Sequence, residues 1–146
     1  MSSVSVIRET FERGKGVLRL TPTWVPRPFN RPGFRIRLHP DDYFAMGMKR
    51  GAIVERWFSS ITHAENEGAG PHEGMSFVNV DDRAEDAVLF KHFVDELGEE
   101  LIGRELIEKY GTWPMYSKFY DYMKPLFHHI HHSEEACRRY GGVKPK

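Results

Sequence analysis

The pattern of hydrophobic positions divides the chain in two. From Val17 to Leu38 the apolar residues are repeatedly interrupted by Pro22, Pro26, Pro28, Pro32 and Gly33, which exclude a regular helix and predict extended segments joined by turns. Phe34, Ile36 and Leu38 alternate with Arg35, Arg37 and His39, the period of a strand with one apolar and one basic face. Its arginines read either as a solvated face or as an anion site. Asp41 or Asp42 is placed to cap a short helical turn through Met46, before Gly47 and Gly51 break it. Ile53 to Ser60 and Ser76 to Val80 are further strand candidates, and Asn66 to Gly74 between them has the composition of a loop. Residues 1–80 are therefore expected to be β-rich.

The period changes after Asp81 and Asp82, two candidate helix caps. Val88, Leu89, Phe93, Val94 and Leu97 recur at three-to-four spacing, and Leu101, Ile102, Leu106, Ile107 and Tyr110 repeat it after Gly98. This predicts a helical segment at about 83–110, within a helical part 81–112, as two helices or one bent at Gly98. Gly111 and Pro114 supply its stop. The fold class expected is α+β.

At 146 residues the chain is long enough for one core, so it is one domain or part of one. Lys+Arg and Asp+Glu both number 21, so the chain lacks the basic field on which sequence-independent nucleic-acid binding relies. The longest apolar run is Ala87 to Phe90, too short to span a membrane, and Met1 to Thr10 lacks the apolar stretch of a secretory signal. A cytoplasmic protein with neither a nucleic-acid nor a membrane partner is expected. Cys137 is the sole cysteine, so no internal disulfide can form.

The chemistry is concentrated near the C-terminus. His128, His129, His131 and His132 place four of the eight histidines within five consecutive positions. On a strand, His129 and His131 project to one side with Cα atoms about 7 Å apart and can converge on one divalent ion. On a helix, His128 and His132 would pair instead. Pro125 upstream and Ser133 as the cap of a following helix favour the strand. A plain surface cluster of histidines is the alternative to metal binding. Glu135 stands four residues beyond His131 and offers either a hard oxygen ligand or a carboxylate in the first turn of that helix. His39, His63, His72 and His92 are isolated and read as exposed or hydrogen-bonded residues.

The spacing His129-x-His131-x3-Glu135, followed by Gly142, resembles the first metal motif of the cupin superfamily, with Met123 where that motif opens on glycine. Trp113-Pro114-Met115-Tyr116-Ser117-Lys118 and then His129-Ile130-His131-His132 resemble, more closely, the corresponding segments of type I phosphomannose isomerases and their cupin homologues. In that family a Gln-x-His-Pro strand supplies two zinc ligands, so His129 and His132 stand where the family has glutamine and proline. Thr21 to Arg27 and Leu38 to Tyr43 look like the N-terminal region of bacterial homologues.

The resemblance implies the N-terminal part of a cupin-type β-barrel, with residues 113–146 beginning the metal-binding strands. It implies reversible aldose–ketose isomerisation of a sugar phosphate such as mannose 6-phosphate. His129, His131 and Glu135 would bind a divalent metal, zinc before iron or manganese, and Lys118 would bind substrate or steady charge on oxygen. The family's Lys-x-Glu segment and its distant histidine, the remaining ligands, have no counterpart before Lys146. The expectation is thus a truncated segment, inactive alone, that forms homo-oligomers through exposed sheet edges. An iron-dependent cupin oxygenase using the same three ligands, and a non-catalytic sugar- or metal-binding cupin, are the alternative readings.

Overall fold

The prolines and glycines of the first half do cut it into short strands, and these sort into two antiparallel sheets. In a computed structural model, which describes residues 3–81 and 86–141, the first sheet has the order β1 (Leu20–Thr21), β4 (Phe77–Val78), β5 (Val88–Leu89). The second has the order β2 (Thr23–Arg27), β3 (Ala52–Phe58), β6 (Ser117–Tyr120). Both are open three-stranded sheets, and the architecture is α+β. The strand expected at 53–60 is β3, and it is the buried centre of its sheet. The register of β2 shifts between Val25 and Pro26, where proline has no N–H to give the ladder.

Helices pack on the first sheet. α1 (Ser3–Arg13) is a helix that the pattern of the first 80 residues did not announce. Its Ile7 is buried with Val78 of β4, and its Arg8 reaches Glu96 at 3.0 Å and Glu100 at 3.4 Å. The predicted segment at about 83–110 resolves into α2 (Phe90–Leu97), α3 (Glu99–Ile102) and α4 (Arg104–Tyr110). It starts later than its period implied because Val88 and Leu89 pair with Val78 and Phe77 as β5. Asp82, a candidate cap, lies outside the described residues. Gly98 and Gly103 take φ of 47° and 89°, and these left-handed kinks cut the apolar stripe into three. Phe90, Phe93, Val94, Leu97 and Ile102 complete this core.

Two expected strands are absent. Phe34 to Leu38 is irregular, with Phe34 and Arg37 both at φ 60°. The backbone N–H groups of Arg35 and Ile36 donate to the buried carboxylate of Asp121, each at 3.0 Å, so this segment finds its acceptors on a side chain and not in a ladder. The histidine run likewise has no strand hydrogen bonds: residues 123–133 are irregular until α5 (Glu134–Tyr140) begins. Ser133 caps α5 as expected, its hydroxyl accepting from the Ala136 N–H at 3.2 Å. Residues 66–74 form turns and loop, and Pro40–Phe44 is a short 3-10 turn capped by His39 and not by Asp41 or Asp42.

Trp113 joins the two halves. Its indole N–H donates to the Ser59 carbonyl at 2.8 Å, and its ring meets Phe90 edge-on at 5.4 Å.

Candidate functional site

Strand alternation puts Glu55 and Trp57 on one face of β3, and the β3–β6 register sets Tyr120 opposite Glu55 and Lys118 opposite Trp57. Glu55 is 2% exposed, so its charge must be met inside the protein. Arg27 of β2 does so with both arms of its fork, Nε to Oε1 at 2.7 Å and Nη2 to Oε2 at 3.1 Å. The Trp57 indole N–H donates to Oε2 at 2.7 Å, and the Tyr122 hydroxyl donates to Oε1. Burial pushes the Glu55 carboxyl up, yet the bonds from Arg27, Tyr122 and Trp57 outweigh it and hold the group below its ordinary value. Burial and the neighbouring carboxylate act together on the Tyr122 phenol and push it well above its ordinary range.

Lys118 sits at the edge of this cluster. Its ammonium lies 3.6 Å from Glu55 Oε2 and over three rings, at 4.8 Å from Trp57, 4.9 Å from Tyr120 and 5.6 Å from Tyr116. Burial lowers its proton affinity, but Tyr120 and Glu55 more than compensate, so the lysine is held above its ordinary value and stays charged. Trp57 is locked in turn. It stacks on Tyr116 at 4.8 Å, and Gly74, at φ 82°, passes so close that an added Cβ would stand 2.8 Å from its ring.

The histidines occupy a different environment. His128, His129, His131 and His132 are all exposed. The rings of His129 and His131 nonetheless lie together, with centroids 5.2 Å apart. Two imidazoles bound to one tetrahedral ion at ordinary metal–nitrogen lengths have ring centres about 5 Å apart. His129 Nδ1 is 3.1 Å from the Phe127 carbonyl; a proton on Nδ1 makes that contact a hydrogen bond and leaves Nε2 as the ligating nitrogen. The pair that a strand would have put on one side is therefore formed without a strand.

Other candidates are not gathered with it. Glu135 is exposed in the first turn of α5, and no group of three or more His, Cys, Asp or Glu side chains among the described residues is arranged to hold one ion. The spacing of the two rings is compatible with two ligands of one ion and is equally that of the edge-to-face contact they make with each other. Lys118 and His129 do not face each other across a hairpin, because the chain after β6 stays against β3 and the 31–32 segment. The Asp121 N–H donates to the Val54 carbonyl, Tyr122 bridges Pro32, and the Met123 N–H donates to the Arg31 carbonyl. A row of ring contacts runs from Tyr120 through Tyr122, Phe29 and Phe127 to His129. His39 caps its turn and His63 bonds the Gly70 carbonyl at 2.7 Å, in keeping with their reading as isolated residues, and Cys137 is buried.

Sequence reasoning missed Glu55, Arg27 and Tyr122. The one available signal was an acid within the otherwise apolar 52–58 strand, and its partners lie 28 and 67 residues away.

Among the described residues no helix is long and apolar enough to cross a membrane. Compared with protein-family models, curated proteins and solved structures, the chain matches none.

Proposed function

We propose that the chain contributes to the centre of a metal-dependent aldose–ketose isomerase acting on a sugar phosphate such as mannose 6-phosphate, within a cupin-type barrel. The ring pair of His129 and His131, spaced as two ligands of one ion would be, is the observation that carries this reading. Zinc suits two imidazoles, and iron or manganese would accept the same donors. A divalent ion bound there would polarise the oxygens of the open-chain sugar.

Isomerisation moves a proton between adjacent carbons and builds negative charge on oxygen. Lys118 suits the second demand and not the first. Held charged by Glu55 and Tyr120, it is a poor proton acceptor but a fixed positive charge for an alkoxide or phosphate. The rings of Trp57, Tyr116 and Tyr120 keep water from its flanks and preserve the strength of that charge. The proton itself must be moved by another group.

Calorimetry of the zinc-loaded chain with mannose 6-phosphate tests the reading. Binding is expected, weakened at least about tenfold by Lys118→Met and by His129→Ala/His131→Ala, equivalent to about 1.4 kcal/mol each. A chain that binds the sugar phosphate equally well without zinc and without Lys118 would contradict it.

A further inference from the structure

The two edges of the β2–β3–β6 sheet differ in what they present to a further strand. The β2 edge contains Pro26 and is flanked by Pro22 and Pro28, residues with no N–H to donate. The β6 edge has no proline between Pro114 and Pro125. A lysine on an edge strand commonly obstructs pairing, but Lys118 is drawn back over Trp57, Tyr116 and Tyr120 and towards Glu55. Phe119, 65% exposed, and Tyr120, 45% exposed, stand on opposite faces of this edge.

Backbone alternation shows which groups the edge leaves open. The Asp121 N–H donates to the Val54 carbonyl at 2.7 Å, so the N–H groups of Asp121 and of Phe119, which lies opposite Arg56, point towards β3. The backbone groups of Lys118 and Tyr120 therefore point away from it. Two N–H donors and two carbonyl acceptors lie along this edge without a backbone partner among the described residues.

A second copy of the same strand supplies the matching set. In an antiparallel pair related by a two-fold axis, residues of one face meet residues of the same face, and the register is fixed by the residue on the axis. Ser117 on the axis sets Tyr120 against Pro114, which has no N–H. Lys118 on the axis sets two ammonium groups side by side. Tyr120 on the axis turns Lys118 to Tyr122, whose carbonyl already accepts from Arg35. Phe119 on the axis sets Lys118 opposite Tyr120 in both directions, so four hydrogen bonds form and every open group of both copies is bonded. The two Phe119 rings then meet at a non-hydrogen-bonded position, where Cα atoms approach to about 4.5 Å and side-chain contact is closest. On the other face each Lys118 ammonium gains a second Tyr120 ring beside it.

We propose that the chain pairs with a second copy of itself through β6, with Phe119 on the two-fold axis, joining the two sheets into one of six strands. The pairing goes beyond the isomerase reading and needs no metal, since it uses the backbone of Lys118 and leaves the ammonium over the same rings. It gives the homo-oligomer expected from exposed sheet edges one edge and one register.

Sedimentation equilibrium of the full chain with a chelator present, from about 10 μM to about 1 mM, should show a monomer–dimer equilibrium, the range set by a small interface. Phe119→Lys, which places like charges on the axis, should weaken it at least about tenfold. Tyr120→Pro removes an N–H that points away from β3 and should weaken it similarly while the bonds to β3 stay in place, so it serves should Phe119→Lys fail to fold. Met48→Lys, at a 73% exposed position of the 48–50 turn, should leave the equilibrium unchanged. In amide exchange, the Lys118 and Tyr120 N–H groups should be protected at high concentration and lose that protection on dilution, while those of Phe119 and Asp121 stay protected at both. A monomer throughout the range, a dimer that the folded edge variants leave intact, or a dimer whose Lys118 and Tyr120 amides exchange freely would overturn the proposal.

Discussion

Glu55 and the His129–His131 pair differ in where their partners come from. Every oxygen of Glu55 is satisfied from within the chain, by residues of β2, of β3 itself and of the stretch after β6. The two imidazoles lie exposed, with one ring nitrogen engaged by a neighbouring carbonyl. A charge whose partners are all internal is part of what holds the sheet, and its loss falls on stability. A pair whose nitrogens are open to solvent adds little to stability and is available to something from outside. The same contrast separates Lys118, fixed in place by the fold, from the histidines, which an ion would have to fix.

Breaking the internal side should have the largest effect. Glu55→Gln keeps the shape but leaves Arg27 and Lys118 without a counter-charge, and a loss of about 3–5 kcal/mol in unfolding free energy is expected from chemical denaturation. A loss below about 1 kcal/mol would show that water reaches the cluster. Gly74→Ala acts on the same face through Trp57, combining a left-handed backbone with a Cβ at 2.8 Å from the ring, and should cost about 1–3 kcal/mol.

Acid and alkali sharpen the contrast further. The Glu55 carboxyl is held below its ordinary 4.5 in the folded state, so its contribution is complete above that pH and is lost as pH falls towards the lower folded value. Tyr122 is raised above its ordinary 10.0, so its contribution is complete below that pH and fades as pH rises beyond it. The denaturation midpoint of Glu55→Gln should therefore change less than that of wild type on acidification, and Tyr122→Phe less on alkalinisation. Parallel curves for wild type and variants would contradict the assignment. At the other end of the scale, His129→Ala/His131→Ala should change stability by no more than about 0.5 kcal/mol, as for other exposed positions.

What was legible in the sequence follows the same division between local and distant causes. The 53–60 strand, the loop at 66–74 and the Ser133 cap were readable because each rests on neighbours within a few positions. The closeness of His129 and His131 was readable from their spacing, though the strand invoked for it did not form. The 34–38 segment misled because its alternation is genuine while its backbone acceptors sit on Asp121, 86 residues away. The start of α2 misled because β5 takes Val88 and Leu89 for a pairing with Phe77 and Val78 that no local pattern announces. α1 is stabilised by packing against α2 and by Arg8 reaching Glu96, 88 residues on. Glu55 belongs to the same class, since only the folded sheet brings Arg27 and Tyr122 to it.

Zinc titration tests the role given to the histidine pair most directly. Calorimetry near neutral pH should give one zinc per chain, bound weakly for want of a full ligand set. His129→Ala/His131→Ala should remove that binding, whereas Glu55→Gln, if folded, should leave it intact. Equal zinc affinity in the wild type and the double histidine variant would contradict the account.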